Sequence, residues 1–301
     1  MSETVTSAAK PLVVAGATGY GRWPANSLEG ARLCLAESVD GIEIDVQMTV
    51  DGHVVAHHDY WLSPSATRLE GQWLEGHGPP IKTMTLAELS RYDVGGLRPG
   101  SDYAKRYGAR QPMEGVRIPT LRALFEVLKA SVGPRRLLYI EIKTDPTDAV
   151  AAPDPAVVTN AVIDGAEAAG YLDQVKIIAF DWQVFRLAKA RHPGLATAHL
   201  TIPAALAVSV KPPPDRDSLW ADGCDPRHFG GSDLAAIKAH GGMEWSPYFT
   251  DVTPWTMAEA ADLGLRVGPW GLSSAEDIAR MMALGVFSVT ISGAHWPRAA
   301  P

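Results

Sequence analysis

The run Gly41-Ile42-Glu43-Ile44-Asp45-Val46 sets two carboxylates two positions apart in an otherwise apolar stretch. On a β-strand successive side chains point to opposite faces, so Glu43 and Asp45 share one face and Ile42, Ile44 and Val46 the other. The apolar neighbours predict a buried strand, where unpaired carboxylates are costly and a cation between them relieves the cost. A second acid-bearing run, Leu137-Leu138-Tyr139-Ile140-Glu141-Ile142-Lys143, puts Glu141 and Lys143 on a common face, and Glu141 completes a three-carboxylate oxygen site. Oxygen-only ligands favour a divalent Mg²⁺ or Ca²⁺ over zinc. The bland alternatives are two acids on an exposed edge strand and a Glu–Lys pair near a strand end. In Val54-Val55-Ala56-His57-His58-Asp59 a histidine ends an apolar strand and is eligible as an acid or base, because its unperturbed pKa lies near neutrality. Only one of two adjacent histidines on a strand faces inward, and an inward histidine alone is more often structural than catalytic.

Aromatic residues supply a second signal. Trp23, Tyr60, Trp61, Tyr139, Trp182, Trp245, Trp270 and Trp296 fall at or near strand ends or in the loops after them. Of these, Trp23, Tyr60, Trp182, Trp245 and Trp270 are the candidates for substrate contact, which implies a substrate with an apolar or aromatic portion. Tryptophan is as common in cores and lids.

The elements that must position these groups follow from short apolar runs bounded by turn residues: 12–15, 41–47, 54–57, 137–143, 175–180, 195–201, 242–246, 265–270 and 287–292. Amphipathic helical patterns lie between many of them, at 27–37, 154–169, 182–191, 253–263 and 274–284. Strands alternating with helices predict βαβ units and a parallel sheet. About eight such units in 301 residues predict a closed TIM-type (β/α)8 barrel, which uses roughly 250 residues plus insertions. Ser27 and Ser274 are placed as helix N-caps, and Gly264 and Gly285 suit the left-handed position after a helix. Residues 60–118 are rich in Gly, Pro and charge, with one short helix near 86–92. They are expected as an insertion capping the site within a single domain spanning 1–301. Residues 145–155 and 211–233 are expected as smaller loops.

Bulk properties narrow the partners. A net charge of −7 opposes a nucleic-acid partner. Cys34 and Cys224 are far apart and in no metal-ligand spacing, which argues against a disulfide scaffold or a zinc site. The polar start and the lack of any run of 18 apolar residues predict neither a signal peptide nor a membrane span, hence a cytoplasmic protein. The sequence does not bear on oligomeric state.

Residues 41–59, Gly-Ile-Glu-Ile-Asp-Val-Gln-Met-Thr-Val-Asp-Gly-His-Val-Val-Ala-His-His-Asp, resemble the signature of the glycerophosphodiester phosphodiesterases. The likeness continues through Arg117-Ile118-Pro119-Thr120-Leu121, Tyr139–Lys143, Phe180-Asp181-Trp182 and Val267-Gly268-Pro269-Trp270, and spans about residues 12–292. The resemblance implies that Glu43, Asp45 and Glu141 bind a divalent metal, that Lys143 contacts the phosphate, and that His58 is one of two catalytic histidines.

Three positions depart from the family pattern. The family begins with a strand ending in His-Arg-Gly and reaches Pro-Glu-Asn-Thr at the first helix. Anchored on Pro24 and Asn26, this chain has Gly16 for the histidine, Ala17 for the arginine and Ala25 for the glutamate. The closing Ile-Thr-Asp is altered to Ile291-Ser292-Gly293. Loss of one acid/base group typically forfeits about 10²–10⁴-fold in rate. Tyr20, Arg22 and His77 are candidate replacements. The expected function is metal-dependent hydrolysis of a small-molecule phosphodiester with altered activity. The alternatives are a different metal-assisted reaction, such as a lyase acting on an aromatic substrate, or a barrel that binds an anionic ligand without turnover.

Overall fold

A computed structural model describes residues 10–203, 205–206 and 216–293; Trp296 and part of the loop 211–233 lie outside them. The described strands are β1 (Leu12–Ala15), β2 (Gly41–Met48), β3 (Val54–Ala56), β4 (Arg68–Leu69), β5 (Gln72–Trp73), β6 (Tyr92–Asp93), β7 (Leu137–Ile142), β8 (Val175–Ala179), β9 (Ala196–Thr201), β10 (Glu244–Pro247), β11 (Arg266–Val267) and β12 (Ser288–Ile291). The helices are α1 (Leu28–Leu35), α2 (Leu86–Leu89), α3 (Asp102–Arg106), α4 (Leu121–Ala130), α5 (Pro155–Ala168), α6 (Gln183–Arg191), α7 (Asp233–Ala239), α8 (Pro254–Asp262) and α9 (Ala275–Ala283).

Eight of the strands pair in parallel in the order β11-β10-β9-β8-β7-β2-β1-β12. Backbone bonds from Phe287 N to Val267 O (2.7 Å) and from Thr290 N to Pro269 O (2.9 Å) bridge the seam between β11 and β12. The chain is therefore a TIM-type (β/α)8 barrel. One apolar run is not a stave: β3 folds back antiparallel to β2, pairing Val46 with Ala56. With only five residues between the two strands, a hairpin is the connection the chain can make, since a parallel return needs a crossover.

The helix-start signals act as read. Ser27 accepts from Gly30 N and Ser274 from Asp277 N, while Gly264 and Gly285 take positive φ of 66° and 74°. Three helices, α3, α4 and α7, escaped the periodicity reading. In α4 Thr120 caps the helix and Leu121, Leu124, Phe125 and Leu128 bury one stripe; α7, capped by Ser232, is a two-turn element. Helices and sheet enclose the main core, with Ile42, Ile44 and Val46 of β2 facing it. Inside the barrel, Val14, Tyr139, Ile178, Ala198 and Leu200 form a separate cluster.

Residues 60–118 carry more order than their composition suggests. Strands β5-β4-β6 form a three-stranded antiparallel sheet, and Val55, Leu62, Ile81, Met84, Leu89, Val94, Val116 and Ile118 form a small core of their own. No helix among the described residues is long and apolar enough to cross a membrane.

Candidate active site

Strand alternation delivers the acids. In the parallel register of β2 against β7, Asp45 lies opposite Glu141 and Glu43 opposite Tyr139, so three carboxylates converge on the barrel interior. One oxygen from each of Glu43, Asp45 and Glu141 lies within 4.8 Å of the others, and all three side chains are buried. Lys143, the next inward residue on β7's line, places Nζ 2.9 Å from Asp45 Oδ1 and 2.5 Å from Glu141 Oε1. One ammonium against three carboxylates leaves the cluster short of positive charge.

Each acid is held differently. Glu43 Oε2 accepts the Ala17 backbone N–H at 2.7 Å, whereas its Oε1 is buried without a hydrogen-bond partner. The backbone that presents this donor is unusual, since Ala17 and Thr18 have φ of 42° and 56°. Such conformations cost energy and persist where the surroundings impose them. Asn26 donates from Nδ2 to Asp45 Oδ2 at 2.8 Å, and its Oδ1 accepts the Asp45 N–H at 3.0 Å. Asn26 itself sits at φ 50°, a region asparagine tolerates better than most residues. It enters the sequence reading only as an anchor between segments. Its grip on Asp45 arises from a contact 19 residues away in the chain.

The electrostatics follow from this arrangement. Burial, then the charges of Asp45 and Glu141, push the Glu43 carboxyl well above its ordinary range. Burial also drives Glu141 up, only partly offset by Lys143. Burial pushes Asp45 the same way, but Lys143, His58 and the Asn26 hydrogen bond outweigh it and hold Asp45 well below the usual carboxylate range. Burial disfavours the Lys143 ammonium, yet Asp45 and Glu141 keep it charged. An orphaned buried oxygen, an excess of carboxylates and an all-oxygen donor set fit a hard divalent cation.

The paired histidines lie just beyond β3. His58 lines the same cavity as Glu141 and Lys143, and its Nδ1 is 2.6 Å from Asp59 Oδ1. His57 leaves Nε2 buried without a partner. Lys143 and burial oppose protonation of His58, but Asp45 and Asp59 outweigh them and raise its pKa.

The cavity over these groups measures about 270 Å³ and is walled by Tyr60, Trp61, Phe180 and Trp220 beside His58 and Lys143. A larger surface groove of about 860 Å³ runs between α1 and α4, past Arg32 and Arg122, and contains none of these groups. Of the five aromatic candidates, Tyr60 faces the cavity. Trp270 stands at the mouth, with its ring 5.8 Å from Phe180 and 5.1 Å from Tyr248. Trp23, Trp182 and Trp245 are buried: Trp182 packs against His199 and His240 and also lines a small second cavity, and Trp245 donates to Thr201 Oγ1. Trp61 and Trp220 take the places beside Tyr60 that the reading gave to other tryptophans. Neither could be sorted by type, because a strand-end position does not say which way a ring turns.

The departures from the family pattern have a structural form. A Cβ on Gly16 would meet Ile291 O at 3.1 Å and Thr290 Cγ2 at 3.4 Å, so a side chain there requires a shift of tenths of an ångström. Nearby, a Cβ on Gly21 would meet Gly293 C at 2.5 Å, so the loop after β1 lies backbone to backbone against the end of β12. The altered corner is thus packed by main chain. Of the candidate replacements, Tyr20 bonds the Tyr107 hydroxyl at 3.0 Å and Arg22 pairs with Glu37 at 3.1 Å. His77 alone of the three lines the cavity.

Comparison with known proteins agrees with this geometry. The sequence profile of the glycerophosphoryl diester phosphodiesterase family matches residues 18–291. A glycerophosphodiester phosphodiesterase of Caldanaerobacter subterraneus is 26% identical over 278 residues, 92% of each chain. Among solved structures, a candidate glycerophosphoryl diester phosphodiesterase of Silicibacter pomeroyi is 31% identical with a TM-score of 0.81, covering 95% of this chain and 91% of that one. An Oleispira antarctica phosphodiesterase, solved with its product sn-glycerol-3-phosphate, shares the fold at 19% identity and a TM-score of 0.66, with 94% and 93% of the chains covered.

Proposed function

The chain belongs to the glycerophosphoryl diester phosphodiesterase family of phosphodiester hydrolases, and from that premise we propose a metal-dependent hydrolysis with altered activity, centred on Glu43, Asp45, Glu141, Lys143 and His58. The observation that carries it is the convergence of three carboxylates on one point, with an unpartnered buried oxygen on Glu43, beside a cavity that also holds a lysine and a histidine.

Glu43, Asp45 and Glu141 would hold Mg²⁺ or Ca²⁺, which when bound supplies Lewis-acid polarisation of a phosphoryl oxygen. Lys143 spends two of its three donors on Asp45 and Glu141, leaving the third for a phosphate oxygen. Asp59 fixes the His58 ring through Nδ1, which leaves Nε2 to give a proton to the departing alkoxide or take one from water. Asn26 and the Ala17 N–H are positioning groups: they fix Asp45 and Glu43 and touch no substrate. The substrate is a small-molecule phosphodiester, the class for which the Oleispira complex contains a product.

With Gly16 where the family has its first histidine, one of two proton-transfer groups is missing. Diesters with good leaving groups, which need no protonation as they depart, should therefore react best. The test is turnover of glycerophosphodiesters and bis(p-nitrophenyl) phosphate with Mg²⁺, Ca²⁺ or Mn²⁺, alongside Gly16→His with Ala17→Arg. Cleavage of the activated ester by the unmodified protein, with a gain of at least tenfold on glycerophosphodiesters in the double variant, supports the proposal. Metal binding with no diester hydrolysed by either form would refute it, leaving a different metal-assisted reaction or ligand binding alone.

A further inference from the structure

The cavity beside the carboxylates has two unlike sides. His58, Asp59, Glu141 and Lys143, with His77 and Thr144, make the polar part; Tyr60, Trp61, Phe180 and Trp220, with Ile142, make the aromatic and apolar part. The aromatic side continues into a second cavity of about 60 Å³, which shares Phe180 and Trp220, adds Trp182, Leu200 and Ile202, and is also bordered by Thr201, Ser218 and Asp233. Three hydroxyls along these walls already take part in hydrogen bonds, while the Tyr60 hydroxyl and the His77 ring also line the first cavity. Thr144 donates to Asp181 at 2.9 Å, Thr201 Oγ1 accepts from Trp245 Nε1 at 2.8 Å, and Ser218 Oγ accepts from the Trp220 N–H at 3.3 Å. Trp220 Nε1 is buried without a partner and can serve one oxygen. On the polar side Lys143 pairs with Glu141 and His58 with Asp59.

A polyol entering this space would strip water from several hydroxyls and recover few hydrogen bonds, a net cost. An apolar group loses nothing and gains from leaving water. Resting on the hydrolase reading above, we propose that one alcohol of the substrate diester is uncharged and apolar, an alkyl or aryl group seated between Tyr60, Trp61, Phe180 and Trp220, with its far end directed toward Leu200 and Ile202. These residues determine specificity; the metal and proton-transfer groups are shared with the reaction itself.

The experiment uses two series on the whole protein. Diesters of glycerol phosphate carry methyl, butyl, hexyl, 3,3-dimethylbutyl, choline or glycerol as the second alcohol, and kcat/KM is measured for each. Methyl, butyl and hexyl phosphate, choline phosphate and sn-glycerol 3-phosphate are titrated calorimetrically. The expected result is a gain of about two- to fourfold per methylene in both series, with 3,3-dimethylbutyl better than its cationic isostere choline. Trp61→Ala, at a partly exposed position, should flatten the chain-length series in both kcat/KM and alkyl phosphate binding; Trp220→Phe, which retains a ring and removes the lone N–H, should keep its slope. A flat or falling series, a preference for choline over 3,3-dimethylbutyl, or glycerol as the best second alcohol would overturn the proposal. If no diester turns over, the hydrolase reading fails by itself. A chain-length gain in alkyl phosphate binding that Trp61→Ala abolishes would still support the apolar subsite, and its absence would reject it.

Discussion

Two buried charge clusters occupy the same barrel, joined by one strand. Along β7 and the residue just past its end, Tyr139, Glu141 and Lys143 follow one another at intervals of two. Tyr139 belongs to the lower cluster, while Glu141 and Lys143 belong to the upper. Below, toward the N-terminal strand ends, Lys176 Nζ lies 2.6 and 2.8 Å from the two oxygens of Glu244 and 3.0 Å from the Tyr139 hydroxyl, and Arg266 approaches Glu244 at 3.3 Å. Every oxygen of that carboxylate has a partner. Above, three carboxylates share one ammonium, and Glu43 keeps an oxygen with none. A satisfied buried pair closes a structure; an unsatisfied one is held open for something that arrives. Chemistry in such barrels gathers at the C-terminal face, where the upper cluster lies.

The sharpest way to break this comparison is to damage each cluster alone. Asp45→Asn should cost about 10³-fold or more in metal-dependent kcat/KM, because it removes a proposed metal ligand and the counter-charge of Lys143; parallel calorimetry should show the loss of Mn²⁺ or Ca²⁺ binding. Unchanged metal affinity would place the ion elsewhere. His58→Asn should lower kcat by about 10²–10⁴-fold while metal affinity stays within a few-fold, so that a comparable fall in affinity would make His58 a ligand instead. Lys176→Met in the lower cluster leaves Glu244 buried and largely uncompensated. It should cost about 3–5 kcal/mol in urea unfolding, with little change in metal affinity of the folded protein. If it instead removes metal binding with stability intact, the division between the clusters is wrong.

Smaller effects sharpen the picture. Asn26→Gly keeps the positive φ and deletes the side chain, so it should weaken metal affinity by about 10–100-fold without unfolding the barrel. Glu43→Gln is expected to stabilise the metal-free protein at neutral pH and to abolish stabilisation by added metal. The sign follows from linkage. The Glu43 pKa is raised in the folded state, so the folded protein holds a proton that the unfolded chain has released. Metal-free stability therefore falls as pH rises from the ordinary glutamate range through the raised Glu43 titration, and the variant should lack that fall. Asp45, held low, acts oppositely: its contribution is present above the ordinary aspartate range and is lost as pH drops below it. Thermal melts from acid to neutral pH, with and without metal, read both.

Much of this was legible in the chain. A period of two in residues 41–46 and 137–143 suffices to put Glu43 with Asp45 and Glu141 with Lys143, because strand geometry alone fixes which side chains share a face. Alternating apolar runs and helical stripes carry the barrel for the same local reason, as do the caps at Ser27 and Ser274. Tertiary structure alone decided the rest. Which strands become neighbours sets Asp45 opposite Glu141, and nothing within either strand specifies that register. Asn26 reaches Asp45, and Ala17 reaches Glu43, only because the loop after β1 folds over the mouth. The fates of the tryptophans were hidden for a like reason: the same residue type at similar strand ends lines the cavity at 61 and 220 and fills the core at 245. A side chain's partners along its own strand or helix are written into sequence spacing, whereas partners across the fold depend on long-range packing that no local period encodes.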